Sequence, residues 1–107
     1  MLLDPLSALI RLNDLESNDP AVVKKSTRIQ REIERCRLAL ESAVLKHYDD
    51  RRKRFGKTAV VPIERGSCSG CNITLPAVGL KEIAEDVHVC SSCDRLIYDP
   101  ELVYDFV

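Results

Sequence analysis

The feature that most constrains the fold of this chain of 107 residues is a repeated pair of cysteines. The segment CSGCNITL begins at residue 68 and CSSCDRLI begins at residue 90, which gives the spacing C-x2-C-x18-C-x2-C. A C-x2-C turn places two sulfurs on one side of a tight loop, and two such turns complete the tetrahedron that zinc favours. We therefore predict one structural Zn2+ per chain, bound by Cys68, Cys71, Cys90 and Cys93.

The repeat extends past the cysteines and indicates that both pairs form the same turn. Asn72 and Asp94 follow the second cysteine of each pair, and Asn and Asp are the non-glycine types that best tolerate left-handed backbone. Iron in the same tetrathiolate site is an alternative to zinc. A dithiol redox pair is less favoured, because no βαβ pattern surrounds either motif.

The chemistry of the chain does not predict an enzyme. Four thiolates leave no open position on the metal for a catalytic water. No nucleophile–base pair and no glycine-rich phosphate loop stands out. The remaining cysteine, Cys36, lies in an apolar pattern, where a small buried side chain is a more common role than reactivity.

Residues 1–56 are predicted to form a helical hairpin or coiled coil. Asp-Pro at 4–5 and at 19–20 is a helix-start signal, because Asp caps the helix and Pro suits its first position. The first helix is expected over 5–16 and the second over 20–54, which contains no Gly or Pro between its ends. In the second helix an alternating 4,3 spacing, typical of a coiled coil, relates Val22, Ser26, Ile29, Ile33, Cys36, Leu40, Ala43 and His47.

Residues 57–107 are predicted to form the zinc ribbon. The segments TAVVPIE, NITLP, VHVC and RLIY are short and rich in β-forming residues. GLKEIAED, residues 79–86, is expected to form one helical turn, and a short helix is expected to begin at Pro100. A core of this size is rarely sufficient by itself. The predicted fold class is a small metal-bound α+β protein, with a helical (coiled-coil) hairpin followed by a four-cysteine zinc ribbon.

The unequal lengths of the two predicted helices suggest a homodimer. The first helix would cover only the opening third of the second. Beyond it, an apolar stripe would be exposed on a bare helix and therefore needs a cover. The ribbon could fold back along its own helix, helped by attraction between its acidic surface and residues 51–54, or a second copy could pair along the same helix, which the 4,3 spacing favours. The residues of this stripe are Leu38, Leu40, Val44, Leu45 and Tyr48.

Charge is divided unevenly along the chain. Residues 1–58 contain 13 basic and 9 acidic residues, whereas residues 59–107 contain 3 basic and 8 acidic ones. A basic cluster at the end of the second helix is a candidate contact for a polyanion or an acidic partner, although we expect nucleic-acid binding to be weak. Its members are Arg51, Arg52, Lys53, Arg54 and Lys57.

The sequence predicts a cytoplasmic protein without a membrane partner. Its N-terminus lacks the basic lead of a secretory signal. No apolar run approaches the roughly 20 residues that span a bilayer. Paired cysteines in a reducing compartment are more often metal ligands than disulfides.

Residues 61–98 resemble the bacterial C4-type zinc ribbon family with an N-terminal coiled-coil hairpin. The resemblance implies a non-enzymatic cytosolic protein that acts as an interaction adaptor or regulator, linked to transcription or to flagellar and type III secretion assembly. The shared features are Cys68, Gly70, Cys71, Leu75-Pro76, the segment 80–83, Cys90, Cys93 and the closing RLIY at 95–98.

Two other functions are open at this level. A coiled coil joined to a four-cysteine finger is also similar to the RNA-polymerase-binding regulators of the DksA/TraR family, and the acidic turn NDLESNDP at 13–20 suits such a tip. Alternatively, the basic segment 51–57 could bind nucleic acid. Binding to RNA polymerase and salt-dependent binding to nucleic acid would separate these alternatives from a protein adaptor.

Overall fold

The structure, a computed structural model, describes residues 4–76 and 79–102. It is a compact α+β domain in which four helices precede a mixed sheet. Part of the predicted ribbon, residues 77–78 and 103–107, lies outside the described residues. The helices are α1 (Pro5–Glu16), α2 (Pro20–Lys25), α3 (Thr27–Leu38) and α4 (Ser42–Phe55), and the strands are β1 (Val60–Glu64), β2 (Ser67–Cys68), β3 (Lys81–Ala84), β4 (Val87–Val89) and β5 (Leu96–Tyr98).

The helix starts at the Asp-Pro dipeptides are confirmed. Asp4 caps α1 by accepting a hydrogen bond from the Ser7 N–H, and α1 has the predicted bounds. Asp19 caps α2 in the same way, and a short 3-10 helix begins at Pro100. Each carboxylate accepts a bond from a backbone N–H that has no partner within its helix.

The prediction of a single long second helix was wrong, because residues 20–55 form three helices. The first break lies at Ser26, whose backbone is extended and whose hydroxyl caps α3 by accepting a bond from the Ile29 N–H. The second lies between Ala39, the C-cap of α3, and Glu41, the extended N-cap of α4. A continuous coiled-coil seam therefore does not form.

The breaks allow the chain to bury the apolar stripe, for which a second copy or the ribbon was expected as a cover. Leu40 is 7% exposed, Val44 is 3% exposed and Tyr48 is fully buried, all in one hydrophobic cluster with α1. Of the five stripe residues, Leu38 alone is largely exposed. The stripe is thus covered within one chain, by residues of α1 and of the sheet, and does not need the second copy that the spacing favoured. The apolar stripe therefore no longer gives a reason for a homodimer. Homodimerisation stays a prediction, which sedimentation equilibrium can test.

The sheet has the strand order β2-β1-β5-β4-β3. β1 pairs with β5 in parallel, and the other neighbours are antiparallel. The prediction of a helical turn at 79–86 was wrong: Lys81–Ala84 is an edge strand that forms a hairpin with β4. The turn of this hairpin uses Asp86, whose φ is 64°, a left-handed conformation that Asp tolerates. NITLP contributes a single bridge, between Thr74 and Ser67.

Helices and sheet share one hydrophobic cluster. Buried residues of α1 and α4 pack in it with residues of β1, β4 and β5, including Val60, Val87 and Leu96. A second, smaller cluster surrounds the cysteines. The proposed division at residues 56–57 stays a prediction. Among the helices of the described ranges, none is both long enough and apolar enough to cross a bilayer.

Candidate metal centre

The four predicted cysteine ligands converge on one point. The ligand atoms of Cys68, Cys71, Cys90 and Cys93 all lie within 4.8 Å of one another. The Sγ atoms are 3.8 Å apart for Cys68 and Cys93 and 3.7 Å apart for Cys71 and Cys90. A tetrahedron with metal–sulfur bonds of about 2.3 Å has edges of about 3.8 Å. The sulfurs are therefore placed to hold a metal ion.

Two matching turns, which we call knuckles, position these sulfurs. In knuckle 1 (residues 68–73), the Asn72 N–H donates to the Cys68 carbonyl, and in knuckle 2 (residues 90–95) the Asp94 N–H donates to the Cys90 carbonyl. Each first cysteine also donates its N–H to the carbonyl five residues later. Asn72 and Asp94 have φ values of 64° and 71°. The expectation that the sequence repeat encodes one repeated turn is confirmed.

The sheet brings the knuckles together from separate parts of the chain. Cys68 ends β2, whereas Cys90 follows β4 directly and Cys93 precedes β5. Because β1 lies between β2 and β5, its pairing with both strands holds the two knuckles at one end of the sheet. Cys68 and Cys90 are buried, and Cys71 and Cys93 are half-buried.

The thiols differ in their tendency to ionise. Burial raises the pKa of the Cys68 thiol to about 12. Burial also acts on Cys93, but hydrogen bonds from the backbone and side chain of Arg95 and from neighbouring thiols outweigh it and lower the pKa of this thiol to about 7. Ionisation of Cys93 is thus favoured near neutral pH, whereas ionisation of Cys68 requires a compensating cation such as a metal.

The fifth cysteine lies elsewhere. Cys36 is 2% exposed in the core cluster shared by the helices and the sheet. Burial raises the pKa of the Cys36 thiol, which fits the predicted role as a small apolar side chain.

A buried arginine joins knuckle 2 to α4. The Nε of Arg51 donates to the Asp94 carbonyl at 2.9 Å, and its Nη2 lies 3.1 Å from Asp94 Oδ1. Its Nη1 is 3.0 Å from Nδ1 of His47, one helical turn earlier. Because Arg51 is 7% exposed, these bonds form a largely dry clamp between α4 and the residue that follows the fourth cysteine.

Arg54 completes the contact with the same carboxylate. Its Nη1 lies 2.6 Å from Asp94 Oδ2 and 3.5 Å from Asp50 Oδ2. The hydrogen bond from Arg54 lowers the pKa of Asp94, and the charge of Arg51 contributes in the same direction. Asp94 therefore shapes knuckle 2 through its backbone N–H and binds α4 through both its carbonyl and its carboxylate.

Arg95 packs between the helical half and knuckle 1. Its guanidinium lies 4.3 Å from the centroid of the Phe55 ring, at the end of α4. A Cβ added at Gly70 would lie 2.5 Å from Arg95 Cδ. Glycine between the cysteines of knuckle 1 therefore leaves open the space that the Arg95 side chain occupies, and a larger residue would have to displace that side chain. The Arg95 Nε is buried and has no hydrogen-bond partner within residues 4–76 and 79–102.

The basic cluster at 51–57 is largely engaged within the chain. Besides Arg51 and Arg54, Arg52 donates to the Glu16 carbonyl at 2.8 Å and to the Ser17 hydroxyl at 3.0 Å. There it satisfies the C-terminal end of α1. Lys53 and Lys57 are exposed. A role of this cluster in binding polyanions stays a prediction, with three of its five cations already bonded.

Sequence reasoning identified the four sulfurs but missed the arginines that support them. Arg51 and Arg54 were expected to contact solvent, a polyanion or an acidic partner, or to attract the acidic surface of the ribbon, but their specific bonds to Asp94 were not foreseen. Asp94 offered one signal: it stands in the repeat where Asn72 stands, yet it adds a charge.

No family model, curated protein or solved structure showed a significant match to the chain.

Proposed function

We propose that this chain is a non-enzymatic adaptor or regulator that binds another protein, with a structural Zn2+ at the four cysteines. The observation that carries the proposal is the closed set of four sulfurs within 4.8 Å. Four thiolates suit zinc, fill its tetrahedron and leave no position for substrate or water. A metal site of this kind stabilises the fold, and the surface of the folded chain is then available to a protein partner.

The energy available from the metal supports a structural role. Zinc supplies about 10–16 kcal/mol of apparent binding energy in small zinc domains, whereas a typical domain is stable by about 5–15 kcal/mol. Arg51 clamps knuckle 2 to α4, and Phe55 of α4 contacts Arg95 of the same knuckle. Metal binding would therefore stabilise the adjoining helix as well as the sheet.

The alternative of an RNA-polymerase-binding regulator has less support. It requires an acidic tip that projects from a long hairpin. In this chain Glu16 accepts a hydrogen bond from the Tyr48 hydroxyl at 2.6 Å, and Ser17 contacts Arg52. The turn therefore packs against α4. RNA polymerase remains a specific protein partner that the experiment below would detect.

Three forms of the protein test the proposal: wild type, Cys71→Ser and Cys36→Ala. Cys36 is the matched control, because it is a cysteine that does not belong to the four predicted metal ligands. We expect one zinc per chain by mass spectrometry for wild type and Cys36→Ala, and loss of zinc from Cys71→Ser. Affinity capture with crosslinking from the source cells should recover the same protein partner with wild type and Cys36→Ala, but not with Cys71→Ser.

Two results would contradict the proposal. Wild-type protein that holds no zinc after purification with the metal present would remove the structural site. Recovery of nucleic acid without a protein partner would favour the nucleic-acid alternative. Recovery of RNA polymerase would agree with the proposal that the chain binds another protein, and it would identify the chain as a regulator of transcription.

A further inference from the structure

The outer face of α3 carries a row of three arginines that ends in a leucine. Arg28, Arg31, Arg35 and Leu38 are all exposed and follow a 3,4,3 spacing, which places them on one side of the helix. We call these four residues the α3 stripe. The opposite side of α3, including Ile29, Ile33 and Cys36, packs against the core.

The arginines of the stripe have no partners of their own. Within the described ranges, none of the three makes a side-chain hydrogen bond or ion pair, although nearby Glu32 pairs with Arg11 at 2.8 Å. The exposed Glu34 lies beside the stripe without pairing to it. Like charges are neighbours on this face, because three and then four residues separate Arg28, Arg31 and Arg35. Such spacing of like charges destabilises a helix. Proximity to the helix C-terminus compensates Arg35 alone.

The leucine at the end of the row is the second unusual element. Leu38 is 80% exposed, the highest value among the exposed large hydrophobic residues of the described chain. It lies one heptad after Arg31 and three residues after Arg35, so it extends the same face. A single exposed leucine is ordinary, but one in line with three unpaired cations makes a face of mixed charge and apolar character.

We infer that the α3 stripe is the docking surface for an acidic amphipathic helix of a partner protein. Carboxylates of the partner would pair with the three guanidinium groups, and an apolar side chain would cover Leu38. The 3,4,3 spacing is the one that helix–helix packing uses, and Arg binds carboxylates through a planar fork of donors. This inference rests on the proposed adaptor function and specifies its partner.

Nucleic acid fits this face less well than a protein helix. The stripe has no aromatic side chain on which a base could stack, and phosphate contacts do not explain Leu38. The chain has a formal net charge of −1, and residues 59–107 are acidic. A long polyanion would meet that repulsion, whereas a short acidic helix would contact α3 alone.

The test uses a fluorescent synthetic peptide of about three heptads, with glutamates at the 3,4 positions and one leucine in line with them. Fluorescence anisotropy measures its binding to the zinc-loaded full chain. We expect Arg31→Glu/Arg35→Glu to weaken binding about tenfold or more, because like charges would oppose the peptide. A peptide with lysines in place of the glutamates should bind this variant and not wild type.

Two further variants separate charge from packing. Leu38→Ser should weaken binding of the peptide about tenfold. This factor corresponds to the lower end of the free energy gained by burying a leucine side chain. Lys46→Glu/Lys53→Glu makes the same change of charge at exposed positions of α4 and should change binding less than about twofold. Circular dichroism and zinc content of every sample establish that each variant is folded.

The inference is overturned if the peptide fails to bind wild type, or binds Arg31→Glu/Arg35→Glu as it binds wild type. It is also overturned if a duplex RNA binds wild type more tightly than the peptide and Leu38→Ser leaves that order unchanged. Capture of the same cellular partner by wild type and by Arg31→Glu/Arg35→Glu would reject this surface and leave the adaptor function standing. Absence of any captured protein would reject the function itself.

Discussion

Replacing Arg51 by Met should weaken the attachment of knuckle 2 to α4. Met keeps an unbranched apolar chain in the buried position but removes every donor. The hydrogen bond from the charged Nε to the Asp94 carbonyl is lost, as are the contacts with Asp94 Oδ1 and His47. The metal ligands and the rest of the helix would be unchanged in sequence, so any effect reports on the clamp.

The expected loss of unfolding free energy is about 2–4 kcal/mol. A hydrogen bond from a charged donor contributes about 1.5–3 kcal/mol. The ion pair with the Asp94 carboxylate adds a smaller amount, about 0.2–1 kcal/mol, because the Asp94 side chain is 44% exposed and water screens the pair. The metal should also be held less firmly, since loss of a residue that supports a ligand weakens metal binding about 10–100-fold.

Two measurements on the metal-loaded protein check this prediction. Urea unfolding gives the change in free energy from the midpoint and the slope. Transfer of the metal to a coloured chelator gives the rate of metal release. For Arg51→Met we expect this rate to rise about tenfold or more, because weaker metal binding shows as faster dissociation.

Arg54→Met is the matched control for Arg51→Met. It also removes a cation from Asp94, but Arg54 and Asp94 meet at an exposed position, with side chains 45% and 44% exposed. We expect a clearly smaller change in both measurements. The reasoning is refuted if Arg54→Met costs as much as Arg51→Met, or if Arg51→Met releases metal at the wild-type rate.

Three other substitutions test the packing. Tyr48→Phe should cost about 1–2 kcal/mol in urea unfolding through loss of the bond to Glu16. Burial, and then the hydrogen bond to Glu16, raise the pKa of Tyr48. Its contribution to stability is therefore complete below the unfolded pKa of about 10 and is lost as pH rises further. Above about pH 10 the free energy of unfolding of Tyr48→Phe should therefore fall less steeply with pH than that of wild type, and equal slopes would contradict the assignment. Gly70→Ala should cost about 1–2 kcal/mol by displacing Arg95; a thermal midpoint equal to wild type would show that Arg95 moves aside freely. Leu40→Glu, which buries a charge at a position 7% exposed, should unfold the single chain. Folded Leu40→Glu monomer would instead indicate that Leu40 faces a second copy.

Local signals made one helix and both knuckles predictable. Asp4-Pro5 specifies the start of α1 through a cap and a fixed φ, which need no information from the rest of the chain. The knuckles were predictable for a related reason, because the C-x2-C spacing and the tolerance of Asn72 and Asp94 for positive φ are local properties. Convergence of the four sulfurs followed from the chemistry of a shared ion.

The breaks in the second helix could be predicted only in part. Ser26 is a favoured N-cap residue and was a usable signal. Glu41 makes no side-chain cap and has neither Gly nor Pro beside it. That break has no local cause, and it places Leu40, Val44 and Tyr48 in the core. Tertiary burial outweighs the helix propensity of the segment, which a periodicity argument cannot show.

The strand at Lys81–Ala84 and the clamp were missed for the same reason. GLKEIAED has helix-forming residues, and its strand state depends on pairing with β4. Arg51 finds its partner 43 residues later in the chain. Neither interaction can be seen within a local window of sequence.

The hydrophobic cluster shared by α1 and the last strands also affects how the chain is made. Leu6, Leu9 and Leu12 are buried in the same cluster as Val89 and Leu96. During synthesis at about 5–20 residues per second, α1 would wait several seconds for β5 to be translated and longer for it to leave the ribosome. Until then its leucines would be exposed to solvent or to chaperones. Nascent chains that end before residue 96 should therefore be sensitive to protease along α1, and completion of β5 should bring protection.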